Sequence, residues 1–428
     1  MKRLRAELWD KMHFMFREYN DRMVHVSLTY DEPIDIEAMK SALIVMVEKI
    51  PVLHSSFVGN KLRPYWKVSE YKVDDIFNCY DVDDINEGTE EFLMQYIPPE
   101  SKVQIKVAVF NERTLCIVEN HMCMDGGDLK EFLNELVLEY NSIVGTGHAP
   151  ITVREGSRAF DEIYEDLEPS DAMRAKALFS NPSPKDTHSL PLTPASDSDK
   201  SFIVKHKFDA QTTAALKAAG KAHYATVNDV LTAAFLQAAY EIGDYDSSDS
   251  ISVSCAMDLR KRHMKGLTGR GYTNHTAFMG CMTPKKGSDI LETLEYVKHE
   301  QTLNKQDKFI GLYGLPLLRF AYSVMPYALA EKVIKIGYNN PLLAMSNIGV
   351  LDSAALSLSG HAPVDGFMTG AVKYKPFSLL SATTLNGEMT IAICERGNDI
   401  DRTVIETFIS LIAMHVDELI ALTAAQAA

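Results

Sequence analysis

The stretch that decides the fold runs from Thr114 to Val144 and reads TLCIVENHMCMDGGDLKEFLNELVLEYNSIV. Its first part alternates between two sets of mostly apolar residues, which is typical of a buried strand that ends at His121. Its second part carries apolar residues at helical spacing, with Asp128 and Glu131 spaced as an N-terminal capping box and Gly145 near the end. These patterns predict a strand, a sharp turn that carries His121, and a helix.

The predicted turn contains a spacing of polar residues and glycines that suits chemistry. His121 is followed by Asp125, Gly126 and Gly127, a pattern written H-x-x-x-D-G-G. A histidine held in a short loop can direct an imidazole nitrogen toward a cleft, and its ordinary pKa of about 6.5 suits proton abstraction near neutral pH. The aspartate can stabilise the loop through an ion pair, and the glycines allow close approaches that a β-carbon would obstruct. His121, Asp125 and Gly126 are therefore the candidate catalytic residues, although a purely structural loop histidine would give the same short pattern.

Composition places the chain among ordinary globular proteins, and its 428 residues are enough for two domains. The 43 Lys and Arg side chains against 58 Asp and Glu give a formal net charge of −15, which argues against nucleic-acid binding. The six cysteines form neither a C-x-x-C pair nor a zinc framework, so we expect reduced thiols and no metal site. Without a secretory signal or a long uninterrupted apolar run, the chain is predicted to be cytoplasmic, with no transmembrane segment.

Strands and helices mix in both halves without the regular alternation of a doubly wound parallel sheet, which predicts an α+β fold with mixed sheets. In the first half, alternation predicts a strand over Met23–Tyr30, and Asp35 is placed to cap the helix that follows. Val103–Phe110 alternates as well and should pair as a hairpin with the strand that ends at His121. A sheet would therefore hold the His121 loop.

Residues 181–200 carry four prolines and many small polar residues, which predicts a linker. We therefore expect an N-terminal lobe over residues 1–180 and a C-terminal lobe over residues 201–428. The second lobe is predicted to contain a strand over Phe202–Phe208, a helix from Thr226, a strand over Ile251–Met257, a hairpin around Asn386-Gly387 and a last helix over Arg402–Leu422.

The His121 segment resembles the H-H-x-x-x-D-G signature shared by nonribosomal-peptide condensation domains, chloramphenicol acetyltransferase and related acyltransferases, with Asn120 at the position of the first histidine. Segments similar to the same superfamily begin at Ile34 (IDIEAMKSALIVMVEKIPVLHSSF) and at Ala225 (ATVNDVLTAAFLQAAYEIG). The D-F-G-W-G signature of the plant-type branch is absent. The resemblance implies two lobes like chloramphenicol acetyltransferase, each a mixed sheet packed with helices, and an active-site channel between them that contains the histidine.

Two further segments extend the resemblance to individual residues. SCAMDLRKR, from Ser254, resembles the V-D-x-R-x-R type segment of histidine-dependent acyltransferases, which implies a structural ion pair between Arg260 and Asp125. PLLAMSNIGVL, from Pro341, resembles the S/T-N-I/L-G segment that lines the channel, which implies that Ser346 and Asn347 contact substrate. A surface basic loop and buried polar groups at a strand end would account for the same residues.

The resemblance implies an acyltransferase in which His121 acts as general base on a hydroxyl or amine acceptor. The acceptor would attack the thioester of an acyl-coenzyme A or a phosphopantetheine carrier, a co-substrate rather than a bound cofactor, so that the partners are a small-molecule acceptor and an acyl or peptidyl carrier protein. A basic cluster could attract the phosphates of the donor. Its members are Arg260, Lys261, Arg262, Lys265 and Arg270.

Three alternatives remain at this point. The protein could be a freestanding condensation enzyme that accepts only carrier-bound substrates, or a non-catalytic module of the same fold that binds a carrier or a ligand. Cys123, beside the histidine, could be a thiol nucleophile. Separately, the apolar stretch Ile310–Ala330 could line an acyl-chain tunnel, touch a membrane surface or belong to the core.

Overall fold

The computed structural model describes residues 2–148, 153–178, 187–266 and 269–427, of which residue 427 is described by its backbone alone. Within these ranges the strands are β1 (Arg3–Arg5), β2 (Met23–Thr29), β3 (Ser55–Val58), β4 (Tyr65–Val68), β5 (Phe77–Tyr80), β6 (Ile105–Phe110), β7 (Thr114–Asn120), β8 (Lys200–Phe208), β9 (Ile251–Asp258), β10 (Thr276–Thr283), β11 (Leu343–Val350), β12 (Asp365–Thr369), β13 (Lys373–Tyr374), β14 (Ser378–Leu385) and β15 (Glu388–Gly397). The α-helices are α1 (Leu8–Met15), α2 (Ile36–Lys49), α3 (Ile85–Leu93), α4 (Gly126–Thr146), α5 (Pro169–Lys176), α6 (Ala210–Ala222), α7 (Val227–Gly243), α8 (Leu259–His263), α9 (Ile290–Gln306), α10 (Leu315–Val324), α11 (Tyr327–Gly337) and α12 (Asp399–Ala427).

The N-terminal sheet has the order β12-β2-β7-β6-β5 and holds the His121 loop. Strand β7 pairs antiparallel with both β2 and β6, so the predicted hairpin is present. Both faces of β7 are covered, because Leu115 and Ile117 join the core under α2 and α4 while Cys116 and Val118 pack toward the other lobe. Its residues are therefore all buried, and the end of the strand is a rigid support for His121.

The C-terminal lobe is built on a mixed sheet with the order β10-β9-β11-β14-β15-β13, to which β8 adds by pairing with β15. Strands β9, β11 and β14 run parallel, whereas β10 pairs antiparallel with β9, and β15 pairs antiparallel with β14 and β8 but parallel with β13. Helices α7 and α12 bury continuous apolar stripes beneath this sheet, including Phe235 and Phe408, whose rings meet edge to face 5.0 Å apart. The predicted α+β fold with mixed sheets packed by helices is confirmed.

The two halves of the chain interlock, which the sequence did not predict. Strand β12 comes from the second half but pairs antiparallel with β2 at the edge of the N-terminal sheet. A shared apolar cluster also contains Val118 from the first half and Ala392 from the second. Of the predicted linker, residues 181–186 lie outside the described residues, and β8 begins at its last residue, Lys200.

Helix α4 begins and ends at different residues from those predicted. Its N-cap is Asp125, whose Oδ1 accepts hydrogen bonds from Gly127 N at 3.1 Å and Asp128 N at 3.0 Å, so the helix starts before the predicted cap Asp128. The helix continues through Gly145 and ends at Gly147, where φ is +74°, because a residue without a side chain adopts this conformation at little cost. The aspartate of the motif is therefore the cap itself.

By length and composition, α12 is the one helix in the described part of the chain that could cross a membrane. Its apolar side is occupied in the structure, because Ile405, Ile412 and Val416 are fully buried in the core of the C-terminal lobe. The helix therefore has a packing role that accounts for its apolar composition.

Candidate functional site

His121 is the first residue after β7 and is anchored from both sides. Its backbone N–H donates to the carbonyl of Arg22 at 2.7 Å, which ties the loop to the beginning of β2. The three residues after it are fully buried, and Cys123 N donates back to Asn120 O at 2.7 Å to close a tight turn. The backbone that carries the imidazole is thus fixed by the sheet and by its own turn.

Asn274 determines the protonation pattern of the His121 ring. Its amide Nδ2 donates to the backbone carbonyl of His121 at 2.8 Å, and a carbonyl can only accept, so the amide orientation is fixed. Its Oδ1 then lies 2.9 Å from His121 Nδ1, which must donate the hydrogen bond. The proton of the neutral ring is therefore on Nδ1, and Nε2 presents a lone pair.

Burial keeps His121 uncharged. Desolvation lowers the pKa of His121, although the nearby carboxylate of Asp125 opposes this shift. A second histidine, His13 of α1, stacks on the His121 ring with centroids 4.4 Å apart and planes at 23°. Burial and the neighbouring imidazole lower the pKa of His13 well below its ordinary value, so both rings are neutral near pH 7.

Asp125 makes the structural contacts expected of the motif aspartate and does not line the adjacent cavity. One oxygen caps α4 and accepts from the Arg260 guanidinium, the ion pair that the resemblance implied. The other accepts from His275 N at 2.7 Å and from Thr276 Oγ1 at 3.1 Å, at the beginning of β10. Burial alone would raise the pKa of Asp125, but Arg260 and these donors hold it well below its usual range. The carboxylate therefore joins the His121 loop of one lobe to the other lobe.

The two glycines of the motif differ in what they require. A β-carbon on Gly127 would lie 2.5 Å from Nη2 of Arg260, and this guanidinium is also held by Asp258 at 3.2 Å and Asp128 at 3.6 Å. Gly126 has no atom within 4 Å of the corresponding position and borders the cavity. Gly127 thus permits the ion pair, whereas Gly126 leaves space in the cavity.

A cavity of about 490 Å³ opens beside His121. Its wall includes the start of α4, the end of β9 with α8, and β11, which brings in Ser346 and Asn347. Asn347 uses its Oδ1 to accept from Gly349 N at 3.0 Å, where β11 bulges. For the Ser346 hydroxyl, no hydrogen bond is found within the described residues. The structure therefore places both predicted substrate contacts and His121 on one cavity.

The predicted basic cluster divides into two groups. Lys261 and Lys265 line the cavity, and neither side chain forms an ion pair within the described ranges. Arg262 instead donates to two backbone carbonyls at 2.8 Å, and Arg270 pairs with Asp166 at 2.6 Å. The lysines are thus the cationic groups of the cluster that remain available to a ligand at the cavity.

The residue at the first position of the signature, Asn120, faces away from the cavity. Its Nδ2 donates to Gln104 Oε1 at 2.8 Å, and its Oδ1 accepts from Met122 N at 3.1 Å. Asn120 therefore stabilises the turn. The neighbouring Cys123 thiol is fully buried, and burial raises its pKa well above the ordinary value, which argues against a nucleophilic thiolate.

Sequence reasoning missed three contributors to the site: Asn274, His13 and Arg158. Arg158 pairs with the buried Asp10 of α1 at 2.9 Å, and the same Nη2 donates to the carbonyls of Met122 at 3.2 Å and Cys123 at 3.1 Å. No motif marks Arg158, His13 lies in a stretch that shows only a basic start, and Asn274 lies in a segment with no specific pattern. These residues were identifiable only from their tertiary contacts.

Comparison with known proteins supports the same fold. The family model described as the C-terminus of phthiocerol/phthiodiolone dimycocerosyl transferase matches residues 199–294. No curated protein matches the sequence significantly.

Solved structures match nearly the whole chain. Polyketide synthase associated protein 5 from Mycobacterium tuberculosis superposes with a TM-score of 0.67 and 16% identity, covering 97% of this chain and 98% of that one. The first condensation domain of the calcium-dependent antibiotic synthetase, in complex with a substrate analogue, gives a TM-score of 0.69 and 16% identity over 100% of this chain and 97% of that one. The trichothecene 15-O-acetyltransferase from Fusarium sporotrichioides gives a TM-score of 0.67 and 10% identity, covering 96% of this chain and 95% of that one. These likenesses confirm the predicted fold and the predicted resemblance to condensation domains and acyltransferases.

Proposed function

We propose that the protein is an acyltransferase that moves an acyl group from a coenzyme A or carrier-protein thioester to a hydroxyl or amine acceptor. The observation that carries the proposal is the His121–Asn274 pair. Because Asn274 holds the proton on Nδ1, the Nε2 lone pair is the free base of the ring, and His121 borders a cavity large enough for a small substrate. Asp125 and Arg260 would act by holding this loop rather than by contacting substrate.

The proposed reaction needs one base and one site for the developing negative charge. His121 Nε2 takes the proton from the acceptor as its oxygen or nitrogen bonds to the thioester carbonyl carbon. The tetrahedral intermediate then collapses, the carbon–sulfur bond breaks, and the thiolate receives the proton from the imidazolium. General-base assistance of this kind contributes roughly 10²–10⁴-fold, and the rest must come from positioning and from stabilisation of the oxyanion.

Two groups are candidates for oxyanion stabilisation. The Ser346 hydroxyl borders the same cavity as His121 and has its donor available there. Gly126 begins α4, so its N–H lies outside the helix's own hydrogen-bond ladder, and the positive end of the helix dipole adds to the potential. Both groups would act on the carbonyl oxygen of the thioester.

The thioester donor would be a co-substrate that brings its own phosphates. Lys261 and Lys265 line the cavity and form no ion pair within the described ranges, in a chain whose net charge is −15. This local charge favours a phosphate-bearing donor over a neutral thioester. We further propose a cytoplasmic location, since all six cysteines are free thiols in the structure.

The proposal is tested by thiol release from a panel of acyl-coenzyme A thioesters, short to long, with simple alcohols and amines as acceptors. We expect acceptor-dependent release by the wild type and by the control His299→Ala, whose side chain is exposed on α9, and loss of release in His121→Ala. Release only from donors loaded on a carrier protein would identify a freestanding condensation enzyme. The absence of transfer from either kind of donor would indicate a non-catalytic binding module of the same fold.

A further inference from the structure

Helices α10 and α11 present an unusual surface, because each turns an apolar stripe toward solvent. Leu317, Phe320 and Val324 lie along one side of α10, and Leu329, Val333 and Ile336 lie along one side of α11. The exposed fractions of these six side chains range from 45% to 89%, and we call them the α10–α11 face. Single exposed apolar residues are ordinary, but a contiguous group of this size on a folded protein marks an interaction surface.

The opposite sides of both helices are already packed. Ala321 of α10 and Ala330 and Ile334 of α11 are buried against Met12 and Met15 of α1. The rings of Tyr322 and Tyr327 stack 5.8 Å apart where the two helices meet. The exposed stripes are therefore separate from the packed sides of these helices, and the two helices together support the α10–α11 face.

Around the α10–α11 face the negative side chains are paired, whereas several positive side chains are not. The carboxylates nearest to it are neutralised: Glu331 pairs with Arg17 at 2.6 Å, and Asp161 pairs with Arg319 at 2.6 Å. Lys332 on α11, and Lys61 and Arg63 in the loop that packs on its first turn, are exposed and form no ion pair within the described residues. This loop is fixed there because Tyr327 N donates to Leu62 O at 3.1 Å, and it adds the exposed side chain of Leu62.

We propose that the α10–α11 face docks on the surface of an anionic lipid bilayer. Two short helices that lie side by side, with apolar side chains outward and unpaired cations at the edge, match an interfacial anchor, in which apolar groups enter the headgroup region and cations contact lipid phosphates. A second copy of the chain fits less well, because a twofold contact would bring the same unpaired cations together. The acidic remainder of the protein would be repelled by anionic lipid, which orients this face toward the bilayer.

The location of the face gives the docking a consequence for the proposed function, on which this step rests. Helix α1 lies directly beneath the face and carries His13, whose ring stacks on His121. Two helical layers, the α10–α11 pair and α1, would therefore separate the bilayer from the proposed base. Acyl transfer would then take place close to the membrane, where acceptors or acyl chains that reside in lipid are concentrated.

Vesicle flotation tests the docking without any need for activity. We expect the wild type to float with phosphatidylcholine vesicles that contain phosphatidylglycerol, to float less with phosphatidylcholine alone, and to be released by salt. Val324→Ser/Ile336→Ser should lower the partition coefficient roughly tenfold or more, because two aliphatic side chains no longer enter the lipid. The matched control Val364→Ser/Ile400→Ser changes exposed residues of the same two types elsewhere and should float like the wild type.

A charge variant separates the two contributions. Lys61→Gln, Arg63→Gln and Lys332→Gln should each weaken binding to the anionic vesicles about fivefold and leave binding to phosphatidylcholine unchanged. The inference is overturned if the wild type floats with neither vesicle or if the control double variant loses as much binding as Val324→Ser/Ile336→Ser. It is also overturned if light scattering shows a wild-type dimer that Val324→Ser/Ile336→Ser dissociates, since the face would then join two copies. If flotation succeeds while no acyl transfer is found, the proposed function fails and the docking stands.

Discussion

Replacement of Asn274 by alanine is the sharpest test of how the site is arranged. In Asn274→Ala, the Nδ1–H of His121 loses its acceptor at 2.9 Å, and the backbone carbonyl of His121 loses its donor at 2.8 Å. A buried donor left without a partner costs about 1–3 kcal/mol. The ring can lower this cost by rotating or by moving its proton to Nε2, and either change removes the lone pair from the cavity.

That cost sets the size of the expected effect. If it appears in the transition state, kcat for acyl transfer should fall roughly tenfold to a hundredfold, because each 1.4 kcal/mol is about a factor of ten. Asn274→Asp should behave differently, since a carboxylate next to Nδ1 raises the pKa of His121. The acid limb of the kcat/KM profile should then move to higher pH than in the wild type, whose limb lies below about 6.5 because burial lowers the pKa of His121.

The assay is acceptor-dependent thiol release measured across pH, with circular dichroism and thermal unfolding to confirm that each variant is folded. Asn304→Ala is the matched control, because this asparagine also donates to a backbone carbonyl, Gly280 O at 2.8 Å, but lies on α9 away from His121. A folded Asn274→Ala enzyme with wild-type kcat and an unchanged pH profile would refute the argument that Asn274 sets the tautomer.

Other perturbations follow from the same contacts. Arg260→Ala should lower the free energy of unfolding in urea by about 3–5 kcal/mol, because it leaves a buried carboxylate unpaired; a loss below 1 kcal/mol would contradict this. Gly127→Ala should displace the Arg260 guanidinium and lower the free energy of unfolding. Gly126→Ala should unfold like the wild type but raise KM, since its methyl group enters the cavity. Equal effects of the two substitutions on stability and on KM would contradict this. Burial lowers the pKa of His25 and of His275 to about 4. Between about pH 6.5 and 4 the unfolded chain binds more protons at these two histidines than the folded protein does. The free energy of unfolding should therefore decrease as the pH is lowered, by up to roughly 1.4 kcal/mol per pH unit for each histidine. A free energy of unfolding that does not change over this pH range would exclude this.

Local patterns were sufficient for most of the fold. The strand before His121 and the helix after it follow from apolar periodicity, which reports burial directly. The predicted start of α4 was wrong because Asp125 and Asp128 are both good capping residues, and local sequence does not distinguish between them. Tertiary contacts decide, since Arg260 and the backbone N–H of His275 engage Asp125, while Arg154 pairs with Asp128 at 2.7 Å.

The candidate site was predictable only where resemblance supplied a motif. His121, Asp125, Arg260 and the Ser346 segment could be named because their neighbours form recognisable patterns. Asn274 could not, because its contact with His121 spans 153 positions and the weakly specific pattern of residues around it does not point to that partner. Such a partner is selected by the geometry of the folded lobes, as is the strand β12 that crosses between them.

Whether His121 is the base is decided by the single-turnover rate of acyl transfer from a saturating thioester, compared between wild type, His121→Ala and His13→Ala. His121 borders the cavity with a defined lone pair, whereas His13 stacks behind it. We expect the rate to fall about 10²-fold or more in His121→Ala, the lower range of general-base catalysis, and His13→Ala to retain most of the rate. Two results would contradict the assignment of His121 as the base: a His121→Ala enzyme that transfers at the wild-type rate, or a larger loss of rate in His13→Ala than in His121→Ala.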